Sequence, residues 1–327
     1  PVTGRAVRET GHRRTDGTVA CAPSQKGFWS GAHGHGSTQE VPRLQKLLGE
    51  TGAAPGFPLV DTPRRRQPSS MAVLSGTAGG SEEDKYEGGW SGDTRQGQGR
   101  CAFANGDCYD GAWQSDVREG VGDLAYANGD KYSGDWHTDM RWGKGSQQYA
   151  GGDTYEGDWL NDVRHGDGTA HLLGDNYEGG VADYVGAWLD DVMCGEGFIV
   201  YGTKSSYKGA FFDGNRHGKG RYETPEGLVY EGEWFENFRR GQGVQTWPAE
   251  GDAADTYDGD WEDDQRCGEG LMKYANGDVY EGSWGPGGQF GVRCGQGRCT
   301  YANGDVYEGE WQNDERCGVG ICSFANG

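Results

Sequence analysis

The Gly-x-Gly words of this sequence are the first feature that could do chemistry, because glycine-rich loops can cradle phosphate groups. Ten such words recur at regular places between Gly97 and Gly320, but none has the third glycine of G-x-G-x-x-G. Each leads into a strand-like run and not into the start of a helix, where anions bind. The kinase words H-R-D and D-F-G are also absent from the sequence. We therefore expect no catalytic residues, no nucleotide site and no cofactor.

Cysteine is the second residue type that could do chemistry. Four of the nine cysteines share one place in a repeated pattern, just after an arginine slot: Cys194, Cys267, Cys294 and Cys317. A disulfide or metal ladder is one interpretation. However, equivalent sites in neighbouring β-hairpins lie about 10 Å apart, which is too far for a disulfide, and zinc needs four converging ligands. We expect free thiols in a reducing, cytoplasmic compartment.

The histidines do not indicate a metal site. His33 and His35 form an isolated H-x-H, and His165 and His217 each follow the repeated arginine. Because zinc sites need four converging ligands, the first pair alone is a weak metal signal. The second pair occupies a repeated place in the pattern, so we expect a structural role for it.

A repeat of 23 residues positions these side chains. The word Y-x-G-x-W occurs ten times, with Phe211 once in place of Trp, and six of the nine intervals between its tyrosines are 23 residues. A second word, R-x-G-x-G, follows each first word, and Met193 is the single exception to its arginine. An aromatic residue comes next in eight of the ten units, and Asn-Gly closes five of them. Such a period indicates a repeat architecture.

Each repeat is predicted to be a β-hairpin. The Tyr, Gly and Trp of the first word are spaced by two, so they share one face of a strand. Asn-Gly between two such runs is a strong hairpin signal. A three-residue loop of Ala275, Asn276 and Gly277 would keep both words on a common face, whereas a two-residue loop would separate them.

That loop length also predicts a register. Gly268 lies opposite Trp284, and Gly270 lies opposite Gly282. Since glycine has no Cβ, we expect the indole to lie flat on the bare backbone.

The predicted fold class is all-β, an elongated, twisted, single-layer antiparallel sheet of about ten stacked β-hairpin repeats over residues 84–327. Each hairpin advances the sheet by about 10 Å and buries little by itself, so its neighbours must supply the core. Residues 1–80 are predicted to be a disordered or non-native N-terminal segment. Met71 is the first methionine, and we expect translation to start there if residues 1–70 are not native.

The two ends of the chain leave alternatives open. Four arginines within residues 5–14 give the N-terminal segment the character of a basic targeting or membrane segment. At the other end, the last hairpin stops at its Asn-Gly turn, and its second strand is missing. A terminal repeat needs a closed edge, so we expect a longer natural protein.

Charge limits the classes of partner. The net charge is −21, but residues 1–80 carry +5 and residues 81–327 carry −26. So acidic an array disfavours nucleic acid and anionic lipid, both of which need Lys and Arg to replace counterions. No apolar run reaches the roughly 18 residues of a transmembrane helix.

The repeat resembles that of the MORN family, Y-E-G-x-W…R-x-G-x-G…N-G-D. The segments "YEGDWLNDVRHGDG" (155–168), "YEGEWFENFRRGQG" (230–243) and "YDGDWEDDQRCGEG" (257–270) match it closely. The resemblance implies a β-scaffold at a cytoskeletal, ciliary or membrane-associated assembly, in which the groove or the terminal repeats hold helices or form dimers. An alternative that it implies is the N-terminal regulatory array of a phosphatidylinositol phosphate kinase, with the catalytic domain beyond residue 327.

The predicted binding site is the aromatic row along one face, whose rings either pack as a thin core or also line an open groove. We expect a non-catalytic scaffold that binds a basic amphipathic helix or peptide there, since the rim is acidic. A homodimer and a weak lipid contact are further expectations. The row comprises Tyr86, Trp90, Tyr109, Trp113, Tyr132, Trp136, Tyr155, Trp159, Tyr230, Trp234, Tyr257, Trp261, Tyr280, Trp284, Tyr307 and Trp311.

Structural roles are predicted for a second set of residues: Gly268, Gly270, Gly282, Asn276, Gly277, Arg266 and Arg316. The arginines of the second word either stack on the Trp rings or pair with a column of glutamates that includes Glu156 and Glu281.

Overall fold

The sheet is all-β, as the repeat predicts. The computed structural model describes residues 83–248, 253–286 and 291–326, and these form twenty antiparallel strands in one open sheet. The prediction for residues 1–80 lies outside the described residues.

Ten hairpins make up the sheet. The first five contain β1 (Lys85–Ser91), β2 (Thr94–Ala102), β3 (Cys108–Gln114), β4 (Val117–Ala125), β5 (Lys131–His137), β6 (Met140–Gln148), β7 (Thr154–Leu160), β8 (Val163–Leu173), β9 (Val181–Leu189) and β10 (Val192–Tyr201). The other five contain β11 (Ser206–Phe212), β12 (Asn215–Glu223), β13 (Val229–Phe235), β14 (Phe238–Pro248), β15 (Ala254–Glu262), β16 (Gln265–Lys273), β17 (Val279–Gly285), β18 (Val292–Thr300), β19 (Val306–Gln312) and β20 (Glu315–Ser323). Each of these strands pairs only with the strands that precede and follow it in the chain.

Tight two-residue turns join the strands within a repeat. Ser115 and Asp116 join β3 to β4 with φ of 50° and 69°, and Asn161 and Asp162 do the same between β7 and β8 with 50° and 68°. Two consecutive left-handed residues form the turn whose twist suits a hairpin, and Asn and Asp tolerate that conformation best among residues with a side chain. The Asp- and Asn-rich stretch before each arginine is therefore the sequence of this turn.

The longer turns between repeats have the predicted three-residue loop. The Tyr274 N–H donates to the Asp278 carbonyl at 2.9 Å, and the Gly277 N–H donates to the Tyr274 carbonyl at 2.9 Å. Gly277 is left-handed with φ of 94°. The Asn276 side chain accepts from the Asp278 N–H at 2.9 Å and so closes the loop.

The predicted register is confirmed, since Gly268 pairs with Trp284 and Gly270 pairs with Gly282. A β-bulge explains why the first G of R-x-G-x-G is a glycine in every repeat. Gly111 pairs with Gly122 and Trp113 with Arg118, so β4 has two more residues than β3 between these pairs. Gly120 lies in this bulge with φ of 90°, which favours glycine.

Aspartates fasten each loop to the next. The Asp107 carboxylate accepts from the Ala127 N–H at 2.8 Å, and the Asp130 carboxylate accepts from the Ala150 N–H at 2.7 Å. Seven junctions have this bond. The aspartate of N-G-D therefore links neighbouring repeats.

A longer loop interrupts the regular series near the centre of the array. Residues 174–180 replace the usual turn between β8 and β9, and Glu178–Gly180 form a short 3-10 turn within them. Among the described residues, no helix is both long and apolar enough to cross a membrane.

Candidate functional site

The tyrosines and tryptophans of the first word form a continuous ladder of rings on one face of the sheet. Tyr109 lies edge-to-face against Trp113 of its own repeat at 5.2 Å and against Trp136 of the next repeat at 5.5 Å, measured between ring centroids. The other repeats continue the same alternation. Each such pair contributes about 0.5–1.5 kcal/mol beyond the area that it buries.

This ladder is the core of the protein. Fourteen of the sixteen rings predicted to line the groove are buried, and the exceptions are Tyr86, which is half-buried, and Trp90, which is 57% exposed. Both exceptions belong to β1, which has a neighbour on one side only among the described strands. The core role of the row is therefore established, whereas its contact with a partner stays a prediction.

Bare glycine makes room for the tyrosines. A Cβ on Gly270 would lie 2.5 Å from the Tyr257 ring, and one on Gly122 would lie 2.2 Å from the Tyr109 hydroxyl. The prediction that the indole lies flat on this backbone is wrong, since the ring over Gly270 is that of a tyrosine. Trp284 instead donates its Nε1–H to the Gly270 carbonyl at 3.2 Å.

Each buried tyrosine of the first word keeps a hydrogen bond. The Tyr109 hydroxyl donates to the Ala112 carbonyl at 3.0 Å, and the Tyr132 hydroxyl donates to the Asp135 carbonyl at 2.9 Å. Burial disfavours the tyrosinate form and raises the pKa of both hydroxyls above the usual 10. Burial likewise raises the pKa of Tyr201 to about 12.

The arginines of the second word cover the tryptophans. The Arg118 guanidinium lies 4.1 Å from the centroid of the Trp136 ring in the next repeat, and Arg141 lies equally close to Trp159. Such a stack is worth about 0.5–2 kcal/mol, depending on how far the cation is desolvated. Of the two intramolecular roles predicted for the arginines, stacking is confirmed.

The charged partner of six of the repeated arginines is an aspartate and not the predicted glutamate. Arg118 Nε donates to Asp139 Oδ1 at 3.0 Å, its Nη2 donates to the Asp139 carbonyl at 2.7 Å, and its backbone N–H donates to Asp139 Oδ1 at 2.9 Å. Asp139 lies in the tight turn of the next repeat, 21 residues later. Sequence reasoning missed these aspartates, although an acidic turn residue recurs just before the arginine slot.

Arg266 and Arg316, for which a structural role is predicted, both lie against rings of the ladder. Arg266 stacks on Trp284 at 4.3 Å and donates to the Gly291 carbonyl at 3.2 Å. Burial lowers its pKa. Arg316 lies 5.3 Å from the Tyr307 centroid.

An upper layer of rings partly covers the ladder. These rings come from the aromatic slot after R-x-G-x-G, and Tyr126, Tyr149, Tyr274 and Tyr301 are half-buried. The turn aspartates beside them are more accessible than the arginines, with 43–49% of each Asp side chain exposed against 14–22% of each Arg side chain in the six Arg–Asp pairs. The surface that a ligand would meet on this face is therefore aromatic and acidic.

The central repeats depart from this arrangement. Met193, Phe211 and Gly214 stand where other junctions have the arginine, the tryptophan and the aspartate. Glu178, from the longer loop, accepts from the Tyr222 hydroxyl at 2.8 Å and from the Ser205 hydroxyl at 2.5 Å. It also lies 3.7 Å from Arg216, which has Asn237 in place of the turn aspartate.

The remaining chemical candidates lie apart from any site. Burial raises the pKa of Cys267 and Cys294, which disfavours the nucleophilic thiolate. The free cysteines of the described ranges include Cys101, Cys108, Cys267, Cys294, Cys299, Cys317 and Cys322. His217 lies between the rings of Phe212 and Phe235. Within the described part of the chain, no group of three or more His, Cys, Asp or Glu side chains could hold a metal ion.

Comparison with solved structures gives weak likenesses. The TCP10 domain of Danio rerio CPAP, in complex with a peptide of Danio rerio STIL, is 10% identical with a TM-score of 0.39, over 74% of this chain and 100% of that chain. The SAS-4 (dCPAP) TCP domain of Drosophila melanogaster, in complex with a proline-rich motif of Ana2, is 14% identical with a TM-score of 0.31, over 57% of this chain and 93% of that chain. These TM-scores are below those of chains that share a fold. No curated protein matches the chain.

The MORN repeat model matches the chain in ten successive segments: 86–108, 109–131, 132–154, 155–171, 184–206, 207–229, 230–250, 257–279, 289–306 and 307–327. The segments include each of the ten Y-x-G-x-W words except that of β17, residues 280–284, which lies between the segments 257–279 and 289–306. Together they cover more than half of the chain, which therefore belongs to the MORN-repeat family.

Proposed function

We propose that this protein is a non-catalytic scaffold that binds a segment of another protein along the aromatic face of its sheet. The observation that carries this proposal is the upper layer of half-buried rings, which recurs along the array and packs against the buried ladder. Exposed aromatic area in a regular row is typical of interfaces, where aromatic anchors dominate the binding free energy.

The charge of this face supports a basic partner. In each Arg–Asp pair the aspartate side chain is more exposed than the arginine side chain. The array as a whole, residues 81–327, has a net charge of −26. Complementary charge raises the association rate and selects the partner. We propose a basic amphipathic helix or peptide, bound in the cytoplasm at a cytoskeletal, ciliary or membrane-peripheral assembly.

The test must leave the core intact. Trp261 and Trp284 are buried, so their replacement would measure folding before binding. The turn aspartates are better positions, because Asn237 shows that the turn accepts asparagine. The test variant is Asp139→Asn with Asp162→Asn and Asp191→Asn, and its control is Glu156→Gln with Glu231→Gln and Glu281→Gln on the opposite face.

Peptides selected from a display library against the full chain provide the probe. We expect them to be rich in Lys or Arg beside apolar residues, and to bind the aspartate variant about tenfold more weakly than the wild type and the control. Equal losses in the two variants would contradict binding on the aromatic face. Selected peptides without basic residues would contradict the proposed chemistry of the partner.

A further inference from the structure

A second apolar surface lies on the face opposite the ring ladder, along the edge that carries the tight turns. It is made of residues just after the repeated tryptophan and just before or after the repeated arginine, and we name it the turn-edge stripe. Its members are Met140, Trp142, Leu160, Val163, Leu189, Val192, Phe212, Phe235 and Phe238. Because side chains alternate along a strand, neighbours of a core residue point to the other face.

The strand register brings the members of the stripe together. Leu160 pairs with Val163, Leu189 pairs with Val192, and Phe235 pairs with Phe238. His217 joins two of the hairpins, with its ring 5.5 Å from that of Phe212 and 5.1 Å from that of Phe235. The stripe therefore runs across five consecutive hairpins, from β5–β6 to β13–β14.

The fold does not require apolar residues here. The outer repeats have Ser91, Gln114, Glu262 and Gln312 directly after the tryptophan, where the four central repeats that begin with β7, β9, β11 and β13 have leucine or phenylalanine. The backbone is the same in both cases, an end of strand next to a tight turn. Leucine or phenylalanine at this position is thus confined to four central hairpins of the described sheet, and folding does not explain it.

These side chains are accessible. Leu189 is 37% exposed, Phe212 43%, Phe235 40% and Phe238 50%. A cleft of about 620 Å³ adjoins the far end of the stripe and is lined by His217, Phe235 and Arg240 among others. Contiguous exposed apolar area of this kind marks an interaction surface.

Acidic side chains flank the stripe on both sides. Asp190, Asp213 and Glu236 lie in the turns, and Glu196 and Glu233 lie on the strands inward of it. The cations are fewer, and one of them, Lys144, is already paired with Asp158 at 2.6 Å. A second copy of this chain would bring like charges together, whereas a basic partner would complement them.

We propose that the turn-edge stripe binds an amphipathic α-helix that has an apolar face and basic flanks. Each central strand already has two paired neighbours, so a partner cannot add here as a further strand. A hairpin advances the sheet by about 10 Å, which equals the rise of about seven helical residues. A helix with heptad spacing would therefore present one apolar turn to each hairpin, over about 28 residues for the full stripe.

A synthetic helical peptide of about 28 residues, with Leu at the a and d positions and Lys at e and g, is the direct probe. Twin peptides carry Glu in place of Lys or the same residues in scrambled order. Binding to the full chain is measured by fluorescence anisotropy. We expect the Lys peptide to bind, and Phe212→Gln with Phe235→Gln to weaken its binding at least about tenfold.

A second variant, Leu189→Gln with Phe238→Gln, keeps the test valid if loss of the His217 contacts perturbs folding. We expect it to weaken binding of the Lys peptide similarly. The variant with Asp139→Asn, Asp162→Asn and Asp191→Asn should bind this peptide as the wild type does. That last result separates the stripe from the aromatic face, so either proposal can fail alone. The proposal would be overturned if the Lys peptide failed to bind or if either twin peptide bound equally well. It would also be overturned if the full chain adsorbed equally to phosphatidylcholine vesicles, or if it self-associated in a way that the stripe variants abolish.

Discussion

The junction between Arg118 and the next repeat can be compared with the junction at Met193. At the first, the arginine stacks on Trp136 and binds the turn aspartate Asp139. At the second, all three positions change together, to Met193, Phe211 and Gly214. The Arg, Trp and Asp therefore form one unit that spans two repeats, and at Met193 all three members are lost together. The junction of Arg216 keeps the arginine and Trp234 with Asn237 in place of the aspartate.

The ring ladder does not follow the same rule. Tyr184 lies edge-to-face against Phe211 at 5.2 Å, within the range of the regular junctions. The two regions thus share the ladder and differ in the Arg–Trp–Asp unit. A tyrosine over bare glycine is common to all ten repeats, whereas the whole Arg–Trp–Asp unit is absent at the Met193 junction.

The largest effect should come from alkaline pH, which acts on what both regions share. Burial raises the pKa of Tyr109 and Tyr207 above 10, so below pH 10 their contribution to stability is fully present. Above pH 10 the unfolded chain loses protons that the folded chain retains, and each such tyrosine lowers the free energy of unfolding by up to about 1.4 kcal/mol per pH unit. We expect tyrosinate absorbance and loss of the β circular dichroism signal to appear together. Tyrosinate absorbance near pH 10 with an intact β signal would contradict this.

A methyl group under the ring should be nearly as damaging. Gly122→Ala and Gly197→Ala place a Cβ 2.2 Å and 2.6 Å from the nearest atom of Tyr109 and Tyr184. We expect each to lower the free energy of unfolding by about 3 kcal/mol, measured in urea. Gly151→Ala is the control, because a Cβ there meets nothing within 4 Å. If Gly122→Ala and Gly197→Ala lower the free energy of unfolding by very different amounts, the two regions do not share the ladder.

A double-mutant cycle measures the unit that the regions do not share. Arg118→Met and Asp139→Asn should each cost about 1–2 kcal/mol, with a coupling energy of about 1 kcal/mol, since Arg118 also loses its stack on Trp136. Asn237 shows that asparagine keeps the turn. Additive costs would mean that the arginine and the aspartate act separately.

The smallest effect should come from Glu178→Gln. Its carboxylate replaces the missing charge at the centre and accepts two hydroxyl hydrogen bonds, so we expect a loss of about 1 kcal/mol. Hydrogen exchange should rise only around residues 174–180 and Tyr222. Glu231→Gln, on the opposite face, is the control and should leave exchange there unchanged.

Local patterns were enough to predict the hairpins and their register. The period of two in Y-x-G-x-W identifies a strand face, and Asn276-Gly277 with its parity argument identifies the loop, so the pairing of Gly268 with Trp284 followed. The burial of the rings could not be predicted in this way. The period of two shows which residues share a face of the sheet, but it does not show what covers that face. The cover comes in part from arginines such as Arg118, which lies over Trp136 of the next repeat.

The same limit explains the missed partners. Asp139 meets Arg118 across a repeat boundary, 21 residues away, and the glutamates were closer to the periodic word. The turn-edge stripe escaped notice because its residues fall between the repeated positions, where only a comparison of one repeat with another shows that Phe212 and Phe235 replace Gln and Glu.

Because each strand bonds only to its neighbours in the chain, the sheet has a particular response to mechanical load. Tension between β1 and β20 would break the hydrogen bonds of one strand pair at a time and would not load all strand pairs in parallel. The array would then lengthen hairpin by hairpin at low force and close again on release, which suits a tether that absorbs strain between two attachment points.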